Sequence, residues 1–134
     1  MNKLNQENFC FIIPTFNPNK NFDDVIKNIS KLKAKIFIFD NNSKNKKYLE
    51  NKKDLEIKYS KYNHGYGYAI NFFIKKYFNK YDWFCMLDQD SLLDINYISF
   101  LNERFNFGSD KLGLIGTNVR YKNLDKNLLN FDLK

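Results

Sequence analysis

Apolar and polar residues follow one another along this chain in two kinds of block. Short continuous apolar runs read as strands buried on both faces; runs with an apolar residue every three or four positions read as helices. "NFCFII" (8–13) is a first strand, stopped by Pro14. "FDDVIKNISKLK" follows as a helix with Phe22, Val25, Ile26, Ile29 and Leu32 on one stripe. Asn21 is placed to cap it, Asp23 and Asp24 suit its positive start, and Lys31 and Lys33 suit its end. "KIFIFD" (Lys35–Asp40) is a second strand, a polar turn or short helix covers 45–53, and "LEIKY" (55–59) is a third strand nearer the sheet edge. The glycine loop "NHGYG" (63–67) leads into a helix with Ala69, Ile70, Phe73, Ile74, Tyr77 and Phe78 on one face. "WFCMLD" (83–88) is a fourth strand, Ile95, Ile98, Leu101 and Phe105 form a further helical stripe, and "LGLIGTNV" (112–119) is a last strand candidate.

Strands alternating with helices predict a mostly parallel α/β sheet flanked by helices, in one domain spanning residues 1–134. Such sheets bind ligands beyond the carboxyl ends of their strands, near the point where strand order reverses. Polar clusters fall there: "PTFN" after the first strand, "DNNS" after the second, "NHGYG" after the third and "DQDS" after the fourth.

Composition narrows the class. Hydrophobic residues make up 43% and aromatics 18%, enough to build a core and to exclude a disordered chain. The net charge of +7 favours anionic partners, but the lysines are spread along the chain as on a solvated surface. No recognisable RNA- or DNA-binding motif accompanies that charge, so nucleic acid is not expected as a partner. Cys10 and Cys85 lie in apolar runs and read as reduced core residues. No signal peptide and no transmembrane run are seen, so the expectation is a cytoplasmic protein able to sit on a membrane surface.

The sharpest chemical signal is Asp88-Gln89-Asp90. In extended backbone the two carboxylates face one way and Gln89 the other. Paired carboxylates repel unless a cation joins them, and hard oxygen ligands select Mg²⁺ or Mn²⁺. The plain alternative is two exposed turn aspartates. Asp40 could accept hydrogen bonds from a ribose or a base, or close an Asx turn with Asn41, Asn42 and Ser43. Pro14, Thr15, Phe16 and Asn17 form a loop in which Thr15 offers backbone and hydroxyl contacts and Phe16 a ring face for a base. Gly65 and Gly67 permit close backbone approach to a ligand or a tight turn. His64 is the only histidine, which excludes a multi-histidine metal site. Neither a GxGxxG fingerprint nor a GxxxxGK[ST] phosphate loop is present.

"FIIPTFNPN", "IFIFDNNS", "NHGYGYAIN" and "WFCMLDQDS" together resemble the successive motifs of family 2 glycosyltransferases with the Rossmann-like GT-A nucleotide-diphospho-sugar transferase fold. "LDQDS", with "N-x-G-x-G-x-A-x-N" before it, is similar to the bacterial rhamnosyltransferases of that family. Ile70 stands where many relatives have arginine, though not the rhamnosyltransferase-like ones. The resemblance runs from Phe9 to Val119.

It implies an inverting transfer of a sugar, rhamnose among the candidates, from a dTDP- or UDP-linked donor to a glycan or lipid-linked acceptor in polysaccharide assembly. Work on a lipid-linked acceptor places the protein at the inner face of the cell membrane. Thr15 and Asp40 match positions that contact the nucleoside, and Asn63, Gly65 and Asn71 match the loop and helix start around the nucleotide. Asp88 and Asp90 match the DxD that holds the ribose and the metal-bound diphosphate, with Mn²⁺ or Mg²⁺ as cofactor. Family members usually continue further and carry the acceptor site and catalytic base there, whereas this chain ends 44 residues after Asp90. The expectation is a fold incomplete at its C-terminus that holds the donor-binding half, with the base unidentified. The alternative is a non-catalytic nucleotide-sugar-binding or partner-binding domain.

Overall fold

Four apolar runs become strands: β1 (Phe9–Thr15), β2 (Lys35–Asp40), β3 (Glu56–Tyr59) and β4 (Trp83–Met86). They form one parallel sheet in the order β3-β2-β1-β4. Helices α1 (Asn21–Ser30), α2 (Gly65–Tyr77) and α3 (Tyr97–Arg104) complete the regular structure. The structure, a computed structural model, describes residues 3–50, 52, 55–105 and 112–116. The fold is a Rossmann-like α/β sheet with flanking helices, as the strand–helix alternation requires.

The strand order explains why the helices lie on opposite faces. From β1 to β2 the chain steps one way across the sheet; from β3 to β4 it crosses back past β1. A right-handed crossover for each step puts its helix on a different face. Accordingly α1 buries Phe22, Val25 and Ile29 with Phe11, Ile13, Ile36 and Ile38. On the other face α2 buries Ala69, Ile70 and Phe73 with Cys10, Ile12, Phe37 and Phe39. Phe37 stacks on Phe73 at 5.0 Å and on Tyr77 at 4.4 Å, which fixes α2 against the middle of the sheet. Glu56 pins the edge strand β3 to α2, accepting from the Lys76 ammonium at 2.7 Å and the Tyr77 hydroxyl at 2.6 Å.

Several boundaries differ from the sequence expectation. β1 continues through Pro14 to Thr15. Ile12 directs its carbonyl at β4, where Leu87 N–H donates to it. Pro14 points the same way two residues later, beyond β4's last paired residue Met86, so its missing N–H interrupts no ladder. Asn21 is already helical and Lys20 holds the N-cap position; the Asn19 side chain, one residue before it, accepts from Asn21 N–H at 2.9 Å. Phe78 falls just past α2 and is exposed, as is Ile95 before α3. Leu112–Gly116 form no strand, although Leu112 and Ile115 pack on the α1 face of the core. Residues 117–119 of that candidate lie outside the described residues. Cys10 and Cys85 sit on adjacent strands one register step apart, so they face opposite sides of the sheet and remain free thiols. Among the described residues no helix is long and apolar enough to cross a membrane.

Candidate functional site

All four strands point their carboxyl ends at one edge of the domain, so the polar clusters meet there. The reversal of strand order lies between β1 and β4, because β2 and β3 build outward on one side of β1 and β4 on the other. The crevice that such a reversal favours, called the notch below, would be bounded by Phe16–Asn17 after β1, Asp88–Asp90 after β4 and the first turn of α2.

Hydrogen bonds lock the four loops into a continuous rim. Gln89 clamps Phe16: its side-chain oxygen accepts from Phe16 N–H at 2.9 Å and its amide donates to Phe16 C=O at 3.3 Å. Asn17 N–H donates to the Ser43 hydroxyl oxygen at 2.8 Å, and Asn17's side chain accepts from Lys44 N–H at 2.9 Å. Holding both bonds puts Asn17 in the left-handed region, at φ 47°, where Asn is among the residues that tolerate it. Ser43 in turn donates its hydroxyl and its N–H to the Asp40 carboxylate. Asn41 N–H bonds Thr15 C=O at 2.8 Å, and its side chain accepts from His64 N–H at 3.1 Å. The loops after β4, β1, β2 and β3 are thus tied in sequence around the rim.

The candidate residues separate into two groups under this geometry. Asp40 is fully buried, and its carboxylate accepts from the N–H and hydroxyl of Ser43, three residues on. Thr15 is buried too, and its hydroxyl donates to Phe39 C=O at 3.3 Å, so it presents no free hydroxyl. Pro14 belongs to β1, and the Asn63 side chain, just before the N-cap His64, accepts from Gly65 N–H at 2.9 Å. Gly65 and Gly67 are not in a loop but in the first turn of α2. Gly65 has φ +80°, which favours glycine, and a Cβ on Gly67 would meet open space. Asn71 lines a cavity along α2 with Tyr68 and Phe72 rather than the notch.

Phe16, Asp88 and Asp90 are exposed around the notch. Asp88 and Asp90 do not alternate along an extended strand. β4 ends at Met86, and Ser91 N–H donates to Asp88 C=O at 3.2 Å, so a turn carries both carboxylates into solvent. Tyr66, in the first turn of α2, is near enough to Asp88 for the carboxylate to act on its phenol. Burial raises the Tyr66 phenol above its ordinary pKa, and the charge and hydrogen bond of Asp88 raise it further. Among the described residues no three His, Cys, Asp or Glu side chains cluster as metal ligands. Burial pushes the Cys10 thiol up to about 12 and the Cys85 thiol up to about 11, so neither serves as a nucleophile near neutral pH.

A doubly wound parallel sheet with this rim is shared by several nucleotide-binding families, and the sequence decides among them. The glycosyl transferase family 2 profile matches residues 10–127, from the second residue of β1 to beyond α3. The chain belongs to that family. No curated protein matches it in sequence. As a family 2 glycosyltransferase it uses a nucleotide-sugar donor and an acceptor in general terms.

In this glycosyltransferase domain the sequence signals neither the Gln89–Phe16 pairing nor the place of Tyr66 beside Asp88. Gln89 was read only as pointing away from the two aspartates; its partner, Phe16, lies 73 residues earlier. Nothing local announces such a pairing. Tyr66 lies between Gly65 and Gly67, and nothing in that local sequence marks it as a neighbour of Asp88.

Proposed function

We propose that the notch between β1 and β4 binds the diphosphate donor of the glycosyl transfer, with Asp88 and Asp90 facing the diphosphate through a divalent cation. One observation carries this reading. Of the polar residues at the strand ends, Asp88 and Asp90 are exposed at the reversal point, whereas Asp40 is buried and committed to Ser43. The donor set suits Mg²⁺ or Mn²⁺. Both are oxygen-seeking, and Mg²⁺ is commonly held by one or two carboxylates with water and substrate phosphates completing its shell. Two solvent-exposed carboxylates on one turn meet that need without a closed protein cage. When bound, the cation would neutralise charge developing on the departing diphosphate.

The protein's own groups have separate tasks. Phe16, exposed and clamped through its backbone by Gln89, offers a ring face for the base. Tyr66 brings a phenol beside Asp88 from the first turn of α2. Asn63 fixes the start of α2, whose open backbone at Gly67 lets a ligand approach. Thr15 and Asp40 support the nucleoside side from beneath, as scaffold rather than by direct contact. The nucleotide is dTDP or UDP and the sugar rhamnose by likeness of "LDQDS" to rhamnosyltransferases. The acceptor is a glycan or lipid-linked glycan reached at the cytoplasmic membrane face.

Calorimetry with UDP and dTDP tests this. Binding is expected with Mn²⁺ or Mg²⁺ and lost in chelator, and Asp90→Ala should remove the dependence on metal. Equal affinity with metal and with chelator would contradict the metal site.

A further inference from the structure

The turn that carries Asp88 and Asp90 belongs to no strand or helix, yet it is anchored on both sides. On its near side Leu87 is buried, and its N–H donates to Ile12 C=O in β1 at 3.1 Å. On its far side stands Leu93, three residues after Asp90. Leu93 N–H donates to the Asn28 side-chain oxygen at 2.9 Å, and the Asn28 amide donates to Leu93 C=O at 3.0 Å. One side chain thus takes up both polar groups of one backbone residue, in place of a neighbouring strand.

Asn28 has a firm seat. It lies in α1 between Val25 and Ile29, which are both buried in the core. Leu93 packs its own side chain on the same core cluster. The clamp is half-buried, so water competes with its two bonds less than at the exposed Gln89–Phe16 clamp. Asparagine is a poor helix former, because its side chain competes for nearby backbone groups. Here the amide is turned away from α1 and onto a segment 65 residues on.

We propose that Asn28 is a positioning residue for the carboxylate turn: by fixing Leu93 to α1, it holds Asp88 and Asp90 in the arrangement that a shared divalent cation needs. The proposal rests on the donor reading above for the cation; the clamp itself does not. Two exposed carboxylates on a loose loop must be ordered when the ion arrives, and that ordering weakens binding. With Leu87 and Leu93 both fixed, folding has already ordered the five residues between them. Asn28 commits its amide to Leu93 and acts only through that residue.

Asn102 supplies a matched control. It makes the same two-bond clamp, accepting from Leu4 N–H at 2.8 Å and donating to Leu4 C=O at 2.9 Å. It lies in α3, twelve residues after Asp90, so its loss should free the N-terminal segment and not the turn.

The test compares the parent with Asn28→Ala, Asn28→Asp, Asn102→Ala and Asp88→Asn/Asp90→Ala, each checked for folding by circular dichroism. Backbone NMR relaxation without metal reads the order of Asp88–Ser91. Electron paramagnetic resonance of free Mn²⁺, with UDP present, reads cation affinity. Asn28→Ala should loosen Asp88–Ser91 and weaken Mn²⁺ binding about tenfold, the lower end of what losing a supporting hydrogen bond costs a metal site. Asn28→Asp keeps the acceptor for Leu93 N–H but loses the donor, so its relaxation should fall between. Asn102→Ala should change neither readout. An unloosened turn in Asn28→Ala would overturn the proposal, as would equal effects from Asn102→Ala. A loosened turn with unchanged Mn²⁺ affinity would overturn it too; if the carboxylate variant still loses Mn²⁺, the donor reading survives. Parent-like Mn²⁺ binding by the carboxylate variant would overturn the donor reading, and this proposal with it.

Discussion

The two sides of β1 end differently. Toward β2, the strand ends are closed: Thr15, Asp40, Asn41 and Ser43 are buried, and each is hydrogen-bonded to a neighbouring loop or within it. Toward β4 they are open: Phe16, Asp88 and Asp90 are exposed, and Tyr66 leans on Asp88 from α2. Both sides arise from similar sequence, a short apolar run followed by Asp and small polar residues. The difference lies in partners. Asp40 finds Ser43 three residues on and becomes structural. Asp88 has its C=O engaged by Ser91, while its carboxylate stays at the surface. Polar residues at strand ends therefore do two jobs, and burial tells them apart.

The closed side is broken most severely by Asp40→Ala. It leaves the Ser43 hydroxyl and N–H without their buried acceptor, and hydrogen bonds to a charged group are worth roughly 1.5–3 kcal/mol. Urea unfolding should show a loss of about 2–3 kcal/mol. By contrast Asp88→Asn, on an exposed turn, should stay within about 0.5 kcal/mol of the parent. Equal losses in the two variants would erase the distinction between the sides.

Gln89 joins the two sides, because its clamp on Phe16 ties the β4 loop to the β1 loop; Gln89→Ala removes that clamp. Two neutral bonds in a half-exposed setting contribute about 1 kcal/mol to stability. The larger consequence falls on ligand: donor affinity should drop several-fold as Phe16 loses its fixed position. Gln89→Glu restores the acceptor but not the donor, and should recover part of the effect. Unchanged affinity in Gln89→Ala would show that Phe16 takes no part.

The smallest expected effect is on Tyr66. Its phenol is raised from the ordinary 10.0 first by burial and then by Asp88. Asp88→Asn removes a negative charge that opposes phenolate formation, so the Tyr66 pKa should fall while staying above 10.0, since burial remains. The sign for stability follows: the contribution of neutral Tyr66 is complete below its unfolded pKa and is lost as pH rises through the folded one. Ultraviolet titration of the parent and Asp88→Asn, each against Tyr66→Phe, isolates the shift. An unmoved titration would place Tyr66 away from Asp88.

Much of the sheet was legible because its strands are continuous apolar runs. β2 matches its expected limits to the residue, since Lys35 and Asp40 bound an unbroken apolar stretch. Strand ends were less legible where pairing decides them: Pro14 looks like a stop until the early divergence of β4 leaves its side unpaired. That the four polar clusters share one edge of the sheet was legible from their places after apolar runs of parallel strands. The division of labour within it was not, because it depends on contacts such as Asn17 to Ser43 and Phe16 to Gln89 across 26 and 73 residues. Asp88 and Asp90 would alternate only on a strand running through Asp90, and β4 ends at Met86. Their pairing is therefore a property of a turn.

The central claim is that a cation–diphosphate pair sits on the open side, between β1 and β4. Mn²⁺ is paramagnetic and broadens nearby resonances, so amide spectra recorded with UDP or dTDP and sub-stoichiometric Mn²⁺ locate it directly. Broadening should be strongest at Asp88–Ser91, then at Tyr66 and Phe16–Asn17, weakest at the β3 edge, and absent in the Asp88→Asn/Asp90→Ala double variant. Broadening centred elsewhere, or unaltered in that variant, would contradict the account.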